Sequence, residues 1–139
     1  MKRVLSSALA LIMAIACCCG VASASTHASL TLSAYSVMLY SGDSRGVISV
    51  DYEVRANMFV DSLGVESIRI FEEDGTYVTT INGTIRSGLI CVDSDVHKSF
   101  YETTLTAGTS YYAEVTIFAR DGIIYDSRTI TTNTVTAPY

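Results

Sequence analysis

Tryptophan is absent from this 139-residue sequence, proline occurs once, at Pro138, and histidine occurs twice, at His27 and His97. Without an internal proline, a low-complexity stretch or a charge run, nothing marks an interdomain linker. Neither histidine stands at a spacing that zinc ligation requires, and so few histidines make a hydrolase triad improbable. A G-x-S-x-G elbow and a phosphate-cradling glycine loop are also missing. Cysteine is scarce where it matters: Cys17, Cys18 and Cys19 cluster near the start and Cys91 stands alone thereafter. That arithmetic excludes a disulfide scaffold, so an apolar core has to carry stability. Helical periodicity is nearly absent, and what replaces it is alternation with period two in a composition rich in Thr, Val, Ile and Tyr.

The first 24 residues read as a secretory signal peptide. Lys2 and Arg3 precede an uncharged apolar run from Val4 to Cys19, and small residues close it at Ala22-Ser23-Ala24. The expectation is a leader over 1–24 and one domain over 25–139, secreted and extracellular. An uncleaved anchor ranks below this, because the run is short of the about 20 residues a spanning helix needs. A lipid-anchored alternative uses Cys17, preceded by Ala14-Ile15-Ala16, which is similar to a lipobox only in its small residue before the cysteine. The net charge is −5, and the leader holds two of the nine basic residues and none of the acidic ones. An acidic remainder argues against nucleic acid and anionic membrane surfaces, which both call for a basic patch. No second apolar segment of spanning length follows.

In "GVISVDYEVRANMFV", Ile48, Val50, Tyr52, Val54, Ala56, Met58 and Val60 share one face, and Ser49, Asp51, Glu53, Arg55 and Asn57 share the other. One face meets a core and the other water. Asp74-Gly75 joins two runs as a hairpin, a strand lies near 99–105 after an irregular connection, and Asp121-Gly122 leads into the last strand. About seven short antiparallel strands in one domain predict an all-β sandwich, with a small barrel as the alternative.

Residues 105–122, "LTAGTSYYAEVTIFARDG", carry the most specific signal. Tyr111, Ala113, Val115, Ile117 and Ala119 alternate with Tyr112, Glu114, Thr116, Phe118 and Arg120, so Tyr111 is the buried tyrosine. Leu105, Gly108 and Tyr111 have the spacing of a tyrosine corner, in which the hydroxyl reaches backbone near Leu105 or Thr106. Together with Thr109, Ala113 and Val115 these residues resemble the fibronectin type III and related immunoglobulin-like domains. Ala107 stands where that family has proline, and Tyr52 where it has a buried tryptophan. The resemblance implies an immunoglobulin-like topology in which strands C, F and G are neighbours.

Several residues are candidates for function. Tyr112, Phe118 and Phe71 fall on the outer face of strands F and C, where they form either a binding patch or ordinary cross-strand pairs. A bulged turn at Gly122 is expected to aim Tyr125, Ser127 and Thr129 inward and Asp126 and Arg128 outward, because unpaired buried charge is the costlier error. Cys91 reads as a buried thiol, with an intermolecular disulfide or a reactive nucleophile behind it. Asp93-x-Asp95 offers two carboxylates towards calcium, fewer than a site needs, and Glu72-Glu73-Asp74 reads as a solvated hairpin tip. Asn82-Gly83-Thr84 is a glycosylation acceptor in a eukaryotic setting. No cofactor is implied. The expected role is a non-catalytic binding or adhesion module for a protein or glycan at the cell surface. The alternative is a structural or self-assembling surface or appendage subunit; an enzyme has no residue-level support.

Overall fold

The computed structural model describes residues 31–139. The expected leader over 1–24, its expected cleavage site and Cys17 lie outside the described residues. Seven strands follow one another: β1 (Leu32–Ser41), β2 (Val47–Glu72), β3 (Tyr77–Asn82), β4 (Ile90–Thr104), β5 (Ser110–Asp121), β6 (Ile124–Thr131) and β7 (Val135–Thr136). Every pairing is antiparallel, and all belong to one hydrogen-bonded sheet.

The long strand β2 turns that sheet into a sandwich. Its first half runs between β1 and β4, with Val50 opposite Leu39 on one side and Tyr101 on the other. Its second half runs first between β4 and β5, with Gly64 opposite Ile90 and Phe118, and then between β3 and β5, with Ile68 opposite Ile81 and Val115. The inner faces of both halves share one core, in which Ile48, Val50 and Val54 meet Val65, Ile68, Ile70, Val115 and Ile117. The strand expected in "GVISVDYEVRANMFV" and the run expected before Asp74-Gly75 are therefore one strand that passes from layer to layer.

The passage is made by a bulge. Between the pairs Arg55↔Val96 and Val60↔Ser94, β2 spends more residues than β4 does, and the extra backbone bends the strand. Val60 returns to the core, but Met58, expected on the core face, is 60% exposed beside an exposed Phe59.

The side of the sandwich between β1 and β6 is closed by side chains. The Asn133 carboxamide accepts from the Leu39 N–H at 3.0 Å and donates to the Leu39 carbonyl at 2.8 Å, as a neighbouring strand would. The Asp126 carboxylate accepts from Leu32 N–H at 3.3 Å, and Ser41 Oγ donates to the Thr136 carbonyl at 2.8 Å.

That closure depends on a register for β6 different from the expected one. The hairpin loop is Gly122-Ile123, with Asp121 opposite Ile124, Ile117 opposite Arg128 and Ala119 opposite Asp126. Gly122 has φ +55, and a positive φ at the first central residue suits a two-residue hairpin loop. Asp126 and Arg128 thus share the phase of Ile117 and Ala119, and Tyr125 and Ser127 share that of Phe118. The cost assumed for inward charge is removed by pairing: Arg128 Nη1 lies 2.9 Å from Asp126 Oδ1, at the rim of the core.

Candidate functional site

At the expected corner, the buried Tyr111 hydroxyl accepts from the Thr106 N–H at 3.2 Å and donates to the Thr106 carbonyl at 3.3 Å. Gly108, at φ +79, provides the turn, and Leu105 packs against the core. These three residues hold the crossing from β4 to β5.

The three outward aromatics separate into two groups. Phe71 lies opposite Tyr112, and their rings stack at 5.3 Å between centroids with planes 13° apart. Tyr77 meets Phe71 edge-on at 5.9 Å, and the Arg69 guanidinium sits 5.1 Å from the Phe71 ring. Phe71 is left 9% exposed. Phe118 lies six residues further along β5, about 20 Å away at strand rise, and stacks with Tyr125 at 6.0 Å.

Around Phe118 the surface is concave. An open groove of about 510 Å³ is lined by Phe118, Tyr125, Ile85, Ile90 and Val92, with Asp61, Glu66 and Arg120 among its polar groups. The ladder brings two of the groove's walls together: at the buried Gly64, β2 is flanked by Phe118 of β5 and Ile90 of β4 and contributes no side chain of its own. Gly64 is confined to glycine twice over, by φ +145 and by the Leu89 carbonyl, 2.1 Å from where a Cβ would sit. The walls are apolar yet open, with Ile85 65% and Val92 49% exposed.

The polar groups of the groove hold one another in place. Tyr125 donates to Glu66 Oε2 at 2.8 Å, the Arg120 guanidinium lies 5.3 Å from the Tyr125 ring, and Asp61 Oδ2 accepts from the Gly122 N–H at 2.8 Å. Burial, assisted by the Glu66 carboxylate, raises the Tyr125 pKa, so the phenol stays a donor at neutral pH. Such a surface offers apolar contact area with a fixed carboxylate and a fixed guanidinium at its margin.

A second polar cluster lies away from the groove. The Gly88 carbonyl accepts from the Tyr52 hydroxyl at 2.9 Å and from His97 Nε2 at 2.8 Å, and the two donors are 3.0 Å apart. Leu89 is fully buried and its carbonyl accepts from Val65 N–H at 2.8 Å, so the cluster pins the β3–β4 connection to the core. Burial pushes the Tyr52 pKa up to about 12. Cys91, half-buried on β4, has its thiol pKa raised by burial. Among the described residues, no three His, Cys, Asp or Glu side chains converge as metal ligands would, Asp93 and Asp95 included. No helix of the described residues is long and apolar enough to cross a membrane.

Of the groove residues, the sequence pointed to Phe118 alone. Ile85, Ile90 and Val92 fall in what read as an irregular connection, and Tyr125 was expected to face inward. A signal was present in "GLICV", an apolar run too regular for a solvated loop. No protein-family model, curated protein or solved structure matches the chain.

Proposed function

We propose that the chain is a secreted, non-catalytic binding module of immunoglobulin-like topology that takes a protein or glycan partner in the groove over Phe118. The observation that carries this reading is the groove itself: exposed apolar walls at Ile85 and Val92 around a buried Phe118, bordered by Glu66 and Arg120. Recognition sites combine such apolar contact with a few oriented polar groups. The topology is supported by the strand neighbours, since β2, β5 and β6 adjoin in the order that the resemblance gives to C, F and G. Phe71 and Tyr112, closed on each other and on Tyr77, stabilise the sheet; Phe118, 7% exposed beneath Tyr125, forms the base of the groove, and Ile85, Val92 and Tyr125 offer its accessible surface.

The test is a pair of arrays, one of glycans and one of peptides, probed with the protein and with a Val92→Arg/Tyr125→Ala variant whose melting temperature is first matched to the wild type. Ligands retained by the protein and lost by the variant support the groove. Equal retention by both overturns it.

A further inference from the structure

Strand β4 has one edge that no described strand covers. Strand β4 bonds only to β2 among the described strands, so its other edge is open over residues 95–104. Two observations fix which backbone groups point outward. Leu105 N–H donates to the Gly46 carbonyl at 2.8 Å, which places the odd-numbered residues of this segment in the β2 ladder. Val96, by contrast, bonds through both its N–H and its carbonyl to Ser94 Oγ, at 3.3 and 2.8 Å, away from β2. By alternation, Lys98, Phe100 and Glu102 direct their N–H and C=O groups into the open edge. Their side chains alternate with the half-buried His97, Ser99 and Tyr101 and share the outer face, where Phe100 is 62% exposed.

We propose that two copies of the chain join antiparallel through β4 about a two-fold axis at Phe100, making one continuous sheet across the pair. In this register Phe100 meets the partner's Phe100, and Lys98 meets the partner's Glu102 on each side of the axis. The outward groups then exchange about six backbone hydrogen bonds. A slip of one residue sets outward groups against inward ones. A slip of two places Phe100 opposite a charge, and a slip of four sets Lys98 against Lys98 or Glu102 against Glu102, which repel. The order Lys-x-Phe-x-Glu is therefore self-complementary in one register only. Charges on an edge usually block pairing; here their opposite signs select it. The matching edge of β1 is not available, because Asn133 occupies the Leu39 backbone and Asp126 that of Leu32. Pairing about a two-fold axis consumes the β4 edge and stops at two copies. This inference is independent of the groove.

The experiment is sedimentation equilibrium on the protein, on Lys98→Glu, on Glu102→Lys, and on an equimolar mixture of the two variants. Both side chains are exposed, Lys98 by 77%, and Lys98 also faces Glu53 of its own chain at 3.7 Å, so association is compared only between variants whose melting curves match the protein's. The protein is expected to dimerise below about 1 mM. Each variant alone should dimerise roughly ten-fold more weakly, because the axis repeats the like-charge contact. The mixture should recover dimer, since each variant complements the other across the axis. A protein monomeric at about 1 mM, growth beyond two copies, variants that dimerise as the wild type does, or a mixture no better than its parts would each overturn the proposal.

Discussion

Replacing Asn133 by alanine should open the side of the sandwich between β1 and β6. The carboxamide occupies both the N–H and the carbonyl of Leu39, whose side chain is fully buried, at 3.0 and 2.8 Å. Removing it leaves two backbone groups without their partner. An unsatisfied buried polar group costs about 1–3 kcal/mol, and water reaching the rim from the Asn133 side recovers part of that. We therefore expect a loss of about 2 kcal/mol, a large share of the roughly 5–15 kcal/mol that stabilises a domain. In urea, with a slope of about 1–1.5 kcal/mol/M for a chain of this size, the midpoint should fall by about 1.5 M at unchanged slope. Hydrogen exchange gives a local readout: the Leu39 amide, slow in the protein, should exchange far faster in Asn133→Ala while the Val50 and Val115 amides keep their protection. Asn133→Asp retains the acceptor for Leu39 N–H and should fall between the two. A midpoint shift under about 0.3 M, or unchanged protection at Leu39, would show that the side chain does not close the sheet.

Three further outcomes follow from individual contacts. Tyr111→Phe should cost about 1 kcal/mol, in the lower part of the range for a lost buried partner because its two bonds are 3.2 and 3.3 Å long; an unchanged thermal melt would remove the corner from the account. Gly64→Ala should cost more than about 3 kcal/mol or prevent folding, since positive φ and the Leu89 carbonyl both oppose a Cβ, and a variant melting within a few degrees of the protein would contradict that geometry. Tyr52 ionises near pH 10 when unfolded and near 12 when folded. Its contribution is thus full below pH 10 and is lost as pH rises towards 12, at up to about 1.4 kcal/mol per pH unit. Tyr52→Phe, measured by urea unfolding over the same range, should show a shallower decline, and parallel profiles would refute the assignment.

Fold class and strand phase were legible wherever alternation met a single core. Ile48 to Val54 and Tyr111 to Ala119 read correctly because each strand has one apolar and one polar face, which is what periodicity reports. The union of two expected strands into β2 was not legible. The bulge at 56–59 changes the phase through the backbone, while Met58 continues the apolar alternation in the sequence. The register of β6 was not legible for an energetic reason: as separate charges Asp126 and Arg128 belong outward, whereas they pair with each other and the Asp126 carboxylate also serves the start of β1. The groove was half visible. Phe118 followed from phase, but its walls come from β4 and from the connection that leads into it. These are brought beside β5 because β2 runs between β4 and β5 over 62–64.

The groove is the centre of the functional account, and site-specific photo-crosslinking tests it most directly. A photoreactive side chain at Ile85, exposed on the groove wall, is compared with one at Tyr40, also exposed but on β1 and outside the groove, each in the protein produced in its native host. The account predicts a discrete adduct from position 85 that an excess of the unlabelled protein suppresses, and none from position 40. Adducts from position 40 alone, or equal labelling from both, would contradict it.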